Sequence, residues 1–599
     1  MRRRAASCPQ RTAKDVEGRS KAGEGAARIA AEVALAERAS LFEFGPFRVD
    51  ARRRLLWRGG ELLDVPPKAV ELLSALVEQV GQVVPKDELL RRVWPDTFVE
   101  EANLSVNVSI LRKALGEQPD GQLLIQTVPR RGYRFLGPVA AVAAPAPRTL
   151  AVLPFRPLAA QEADEPLGLG LADALISRLA ATGRIVVRPT AAVRRYGGAE
   201  TDAVEAGRAL RVDAILDARF RRSDHRLLVS AQLLPADGSS PLWAERFDEA
   251  LTDVFAVEDA LAERIAAALL VELSADERRR LGRRHTGNVE AWQAYARGRF
   301  FWGRFSRTWT EKALASFEQA AKLDPGYALP HAGLSDVFLV AGLSGAAAPR
   351  EAWEHASRAL ERARERDSQL PELHVSSGFL HLFRDWDWRT ARSHFARALE
   401  LSPLSAAPHQ WQGLLFGLEG RLTEAHRALA LAAEIDPLSP TIAGIEGLLL
   451  AFEGRHAEEV EQQRRTLDLD PQHFLGHWAL GAALLNTGAA EEAVASLGRA
   501  LELGGGEAFL ELFHARALAR AGRSREARAI LKRAPRTLRY QRAAVHAALG
   551  ESRAALGELG KACDAREAWV VALHADPAFV SLRGEAAFAE LAGRVRPGG

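Results

Sequence analysis

The sequence predicts three folds in series: an α+β domain, an α/β domain and a long all-α repeat array. Three observations carry this. Residues 41–139 read as short strands, three helices and a closing hairpin. Residues 149–281 alternate strand-like and helix-like runs, and residues 288–599 are nearly all amphipathic helix with an internal period. At 599 residues and 47% hydrophobic composition, the chain can fill several cores.

Composition narrows the function classes. The net charge is only +3, so any nucleic-acid signal has to come from local placement of cations. The two cysteines, Cys8 and Cys563, stand at opposite ends. That excludes a zinc ribbon, an iron–sulfur site or a disulfide framework and fits a reducing compartment. The most apolar stretch, from Pro138, is broken by Pro145, Pro147 and Arg148, so no transmembrane helix is expected. The N-terminus has charge but no apolar core segment, so no secretory signal is read. Residues 1–40 are expected to be a disordered polar extension, and the protein to be cytoplasmic with no metal and no cofactor.

In residues 41–139, "FEFGPFRVD" and "RRLLWRGGELLDV" read as short antiparallel strands turning at Gly59–Gly60. "PPKAVELLSALVEQVGQVV" is a helix with Pro67 in its first turn and Gly81 near its end. "PKDELLRRVWP" is a second helix closed by Pro95, and "ANLSVNVSILRKALG" a third ending at Gly116. "LLIQTVPRRGYRFLGPV" then makes a hairpin, with Gly132 allowing its tight turn and Tyr133 and Phe135 anchoring the return. At about 100° per residue, Leu104, Val108, Leu111 and Leu115 fall in one arc that should pack on the core. Asn103, Ser105, Asn107, Arg112 and Lys113 flank it, while Ser109 faces away. Asn can bond bidentately to adenine, Arg to guanine, and Ser to bases or phosphate. Any solvated helix face could look like this; the order of elements around it is what points to DNA. From Asn103 to Phe135 the cations Arg112, Lys113, Arg130, Arg131 and Arg134 outweigh Glu117 and Asp120. Such cations would supply salt-sensitive affinity with little specificity.

"PKAVELLSALVEQVGQVVPKDELLRRVW", "VNVSILRKALG" and "IQTVPRRGYRF" together resemble the OmpR/PhoB-type winged-helix DNA-binding family over roughly residues 42–139. The resemblance implies that the third helix lies in the major groove of double-stranded DNA and the hairpin wing reaches the minor groove. It names Asn103, Ser105, Asn107, Ser109, Arg112, Lys113, Arg130, Arg131 and Tyr133 as DNA-contacting. It also implies that the loop Trp94–Asn103 touches RNA polymerase. Many family members are more basic in mid-helix, where this chain has Ser109 and Ile110, so a preferred DNA sequence does not carry over.

Residues 140–148, Pro/Ala-rich, are expected to be an extended linker. In residues 149–281, "TLAVLPF" reads as a buried strand, followed by "LGLADALISRLAATG" as a helix. "HRLLVSAQLLPADGSSPLWAERFD" reads as a hairpin turning at Asp237–Gly238–Ser239. With "VDAILDARFRR" and "DVFAVEDALAERIAAAL", these runs resemble the TolB amino-terminal-like domain, which implies interaction or sensing rather than catalysis. His225, Asp202, Asp213 and Asp248 form no catalytic spacing. GxxxxGK[ST], GxSxG and HExxH are missing, and the glycines of "LGLGLADAL" read as a helix start rather than a phosphate loop.

Across residues 288–599, "ALELSP", "AAEIDP", "TLDLDP" and "ALELGG" place Leu401, Ile435, Leu469 and Leu503 each 34 residues after the last. A 34-residue period with two helices per copy is the tetratricopeptide (TPR) signature. The array should curve into a concave face that binds a protein or peptide partner. The closing "DPAFVSLRGEAAFAEL" should cap it. The overall order resembles a ToxR/CadC-like layout without a transmembrane helix. The expected function is sequence-specific transcriptional regulation, not enzymatic catalysis. The alternatives are a TPR scaffold or adaptor using its winged helix for protein contacts, and an enzyme of the kind of a cyclase-linked regulator.

Overall fold

The computed structural model describes residues 41–595 except 51–54, 60, 64, 95–98, 100, 117–122, 143–147, 159–163, 199, 224–225, 251–253, 270–272, 303–306, 470 and 505–506. The expected extension 1–40, His225 and most of the loop preceding the third helix lie outside the described residues. The chain divides into two compact units, Met1–Ala146 and Pro147–Gly599.

In the first unit, strands β1 (Leu41–Phe44), β2 (Phe47–Asp50), β3 (Leu55–Arg58) and β4 (Glu61–Leu62) form an antiparallel meander. Gly59, at φ 60°, turns β3 into β4. Helix α1 (Pro67–Val77) follows, with proline in its first turn. Strand β5 (Val83–Pro85), helix α2 (Lys86–Val93), helix α3 (Glu101–Leu115) and the hairpin β6 (Ile125–Val128)–β7 (Gly132–Phe135) complete the order. β5 joins the hairpin in a three-stranded sheet, β5-β7-β6. The expected linker begins differently. Ala140–Val142 is a strand, β8, paired antiparallel with β1, so the backbone there is held by the sheet.

The core of this unit collects Leu73 and Leu76 of α1, Leu89 of α2, and Leu104, Val108, Leu111 and Leu115 of α3. Burial of each such side chain contributes about 1.5–3 kcal/mol. The Phe44 and Phe135 rings meet edge-on at 4.9 Å and tie the meander to the hairpin. Lys68 Nζ donates to Val93 O at 2.7 Å, satisfying an end carbonyl of α2.

The second unit opens with a sheet ordered β11-β9-β12-β13-β14. Its strands are β9 (Thr149–Val152), β11 (Val186–Val187), β12 (Ala214–Arg222), β13 (Arg226–Pro235) and β14 (Trp243–Ala250), and β10 (Arg156–Pro157) pairs with β12. The first pairings are parallel and need crossover helices; β12–β13–β14 are antiparallel hairpins. In the crossover helix Glu165–Ala180, a Cβ on Gly168 would lie 2.0 Å from Phe155 O, and one on Gly170 2.5 Å from Ala296 Cβ. Close packing accounts for both glycines.

The helical array keeps its period in three dimensions. Helices start at Trp388, Leu422, His456 and Ala490 and end at Leu401, Ile435, Leu469 and Leu503, each 34 residues after the last. Gly420, Gly454, Gly488 and Gly522 recur at the same interval in left-handed conformation, ending the first helix of each pair. One period earlier that conformation is taken by Trp386, at φ 59°. The α/β layer and the array share this unit. The buried Arg188 donates to Leu210 O and Arg211 O on its own side, and to Glu434 O and Ile435 O at the end of a repeat helix.

The C-terminal segment does more than cover the last repeat. Trp353 Nε1 donates to Arg566 O at 3.0 Å, and Trp569 Nε1 donates to Leu343 O at 3.1 Å. Residues 566–569 thus dock on helices more than 200 positions earlier. Among the described residues no helix is long and apolar enough to cross a membrane.

Candidate nucleic-acid interface

Helix α3 buries Leu104, Val108, Leu111 and Leu115, the arc expected from its periodicity. Its N-terminus is tied to α2 by Lys86 Nζ and Glu101 Oε2, 2.6 Å apart. The opposite face is set by the same helical spacing: Ala102, Val106, Ser109 and Lys113 follow one another at intervals of four, three and four, and all four are exposed. Asn103 and Ser105 are exposed at its margins, and Asn107 is half-buried. The Asn107 amide donates to Asn103 O at 2.8 Å, one turn back along its own helix. Sequence reasoning missed Val106. It is 56% exposed at the centre of the outward face, and a valine in that position on a helix otherwise edged by polar residues was the available signal.

Two of the nine named side chains turn inward. Arg112 donates through Nε and Nη2 to Ile125 O, at 3.0 and 2.8 Å, and through Nη2 to Thr127 Oγ1 at 2.8 Å. Its planar fork therefore fastens α3 to the first wing strand. Tyr133 is only 5% exposed, and its hydroxyl lies 3.4 Å from Ser105 Oγ. Both residues join the helix to the wing, a role the sequence did not show. The reason is tertiary: the wing strands lie along the Ser105–Arg112 side of α3.

At the wing tip, Arg131 N–H donates to Val128 O at 3.1 Å, closing a turn over Pro129 and Arg130. Arg130 takes φ 62°. The left-handed residue of the turn is therefore Arg130, and Gly132 serves another need. A Cβ on Gly132 would lie 2.0 Å from Val84 O, so only glycine lets β7 pair closely with β5. Arg130 and Arg131 are exposed, with no hydrogen bond or ion pair to a described residue. Arg134 is held across the hairpin by Gln126 Oε1, at 2.6 Å from Nη2. The geometry thus places a small, mostly polar helix face beside a tip with two exposed cations.

The aspartates noted in the α/β layer have structural partners. Asp202 caps the helix Ala203–Ala209, Asp213 accepts from Thr149 N–H at 3.0 Å, and Asp248 accepts from Arg226 Nε at 2.9 Å. Among the described residues no group of three or more His, Cys, Asp or Glu could hold a metal ion.

Comparison with known proteins adds an independent line. The profile of the family "Transcriptional regulatory protein, C terminal" matches residues 60–135. The transcriptional regulator HilA of Salmonella typhimurium is 26% identical over 397 residues, 64% of this chain and 68% of HilA. A putative adenylate cyclase 3 of Rhizobium meliloti is 30% identical over 195 residues, and this chain spans only 33% of its length. The DNA-binding domain of Escherichia coli CadC is 29% identical, covering 18% of this chain and 99% of that domain, with a TM-score of 0.16. Residues 60–135 belong to the transcriptional regulatory protein C-terminal family, the OmpR/PhoB-type DNA-binding winged helix.

Proposed function

We propose that the whole chain is a sequence-specific transcriptional regulator whose α3 enters the major groove of promoter DNA while the wing tip meets the backbone or minor groove. One observation carries this reading: α3 buries a full apolar arc yet keeps an exposed face, Ala102–Val106–Ser109–Lys113, next to a tip bearing two exposed arginines. Asn103, Ser105, Asn107 and Ser109 supply hydrogen bonds to base edges, and Val106 offers an apolar contact to a thymine methyl. Lys113, Arg130 and Arg131 supply phosphate contacts. Arg112 and Tyr133 set the angle between helix and wing. The segment Trp94–Asn103, which runs into the first turn of α3, is the candidate contact to RNA polymerase. The α/β layer and the TPR-like array receive the signal by binding a protein or peptide. We place the protein in the cytoplasm and assign it no catalysis, because the sequence carries no catalytic motif.

The test is binding to genomic fragments across a salt titration. Arg130→Ala and Arg131→Ala should weaken binding on all sequences and flatten the salt slope. Changing Asn103 or Asn107 should alter base preference, with about 1–3 kcal/mol at stake per bidentate contact. No bound fragment at low salt overturns the proposal. Base preference unchanged in both Asn variants removes α3 as the reader.

A further inference from the structure

The antiparallel half of the second unit's sheet is packed on one side only. Along β13, Leu227, Val229, Ala231 and Leu233 are buried, while Arg226 and Ser230 are exposed. Strand pairing extends that open side across three strands. Ser230 lies between Arg219 and Arg246, and Leu228 lies between Arg221 and Asp248. The helix Ala203–Ala209 covers the far end of the same side, with a Cβ on Gly207 only 2.3 Å from Ile215 Cδ1. Ile215 and Asp217 are therefore buried, whereas Arg219, Arg221 and Arg246 are exposed.

The charges are sorted by side. Among the described residues the open end carries Arg219, Arg221, Arg226 and Arg246 against a single acid, Asp248. Asp248 is taken by Arg226, whose Nε donates to it at 2.9 Å, and Arg226 holds that carboxyl below its ordinary range. Arg219, Arg221 and Arg246 make no hydrogen bond or ion pair with a described residue. The acids of β14 that point the other way are on the packed side, where Glu245 pairs with Arg264 at 3.1 Å. Like charges set close on one sheet face cost stability. Three arginines left together therefore point to an anion that neutralises them.

Their spacing says which anion. Arg219 and Arg221 are two residues apart on one strand, about 6.6 Å. Neighbouring phosphates on one DNA strand lie about 7 Å apart through space, because each combines a rise of about 3.4 Å with the turn of the helix. A row of guanidiniums at that interval matches successive backbone phosphates, which the planar fork binds bidentately. Among the described residues this surface has no aromatic ring placed for stacking, and the Gln232 amide on the same side donates to Asp217, so it suits the backbone alone. The same chain carries a DNA reader, which raises the local concentration of duplex around this surface.

We propose that the Arg219–Arg221–Arg246 face is a second DNA-contact surface that grips the phosphate backbone of duplex DNA. This rests on the reading of α3 and the wing as a DNA reader. The test uses the full chain and mixed-sequence duplexes of roughly 15 and 40 base pairs, about one and a half and four helical turns. Binding is followed by fluorescence anisotropy across salt. In the Arg219→Gln/Arg221→Gln/Arg246→Gln variant, the slope of log K against log salt on the long duplex should fall by about 2.7, three phosphates at about 0.9 each. On the short duplex, much of whose length the winged helix takes up, the fall should be smaller. The corresponding triple Lys variant should keep the long-duplex slope, since a point charge suffices for counterion release. In Arg130→Gln/Arg131→Gln the slope should fall on both lengths. A wild-type slope in the triple Gln variant, with the wing variant flattened, overturns the sheet contact and assigns the face to another anion such as an acidic protein. Loss of all dependence on the wing arginines overturns the winged-helix reading instead.

Discussion

Arg130 plays two parts that substitution can separate. Its backbone sits at φ 62° behind Pro129, in a turn closed by Arg131 N–H to Val128 O. Proline followed by a positive φ is the pattern of a turn that prefers glycine at that second position. A side chain there costs about 1–2 kcal/mol. Glycine avoids that cost but loses more backbone freedom on folding, about 0.5–1 kcal/mol. Arg130→Gly should therefore leave the wing as stable or up to about 1.5 kcal/mol more stable. Arg130→Ala keeps a Cβ and should leave its stability unchanged within about 0.5 kcal/mol. Both variants lose the guanidinium, so both should lower the salt slope of DNA binding by about 0.9. Hydrogen exchange of the amides in Gly132–Phe135 reads the wing, and anisotropy across salt reads the contact. Faster exchange in Arg130→Gly than in the wild type refutes the left-handed turn. A wild-type slope in both variants refutes the contact.

Arg112→Gln should cost about 1–2 kcal/mol in the urea unfolding of the first unit, because Ile125 O and Thr127 Oγ1 lose a forked donor. Arg112→Lys should not restore it, and full rescue would show that charge alone matters. In the repeats, Gly481→Ala sets a Cβ 2.4 Å from Leu497 Cγ and should destabilise by about 1–3 kcal/mol, while Gly498→Ala meets nothing within 4 Å. Gly498→Ala should gain about 0.5–1 kcal/mol, so calorimetry on the pair should give shifts of opposite sign. If Val106 meets a thymine methyl, replacing thymine by uracil in a bound site should cost the wild type about 0.8 kcal/mol and Val106→Ala much less. His331, 5% exposed, is pushed down to about 4 by burial, with Arg366 and Arg362 adding to the effect. The unfolded chain takes up that proton near pH 6.5, so stability should fall as pH drops from about 6.5 toward 4. His331→Leu should make the fall shallower in urea titrations at pH 7 and 5.

Much of the fold was legible because its signals are short-range. Pro67 and Gly81 bracket α1, alternation marks β12–β14, and the glycines 34 residues apart end repeat helices. The buried arc of α3 follows from helical spacing alone, and so does its exposed opposite face. The sequence also held the pattern that groups α3 with the wing. It did not show what each side chain does there. Arg112 and Arg131 look alike in the sequence, yet one is bound by a strand 13 residues away and the other stands in solvent. Gly132 reads as a turn residue, but its constraint is the Val84 carbonyl on a strand nearly 50 positions earlier. Arg188, the docking of residues 566–569 and the open arginine face likewise depend on which chain segments meet. Helix, turn and period are decided by neighbours within a few residues. Whether a polar side chain is spent inside the protein or left for a partner is decided by contacts that only tertiary packing creates.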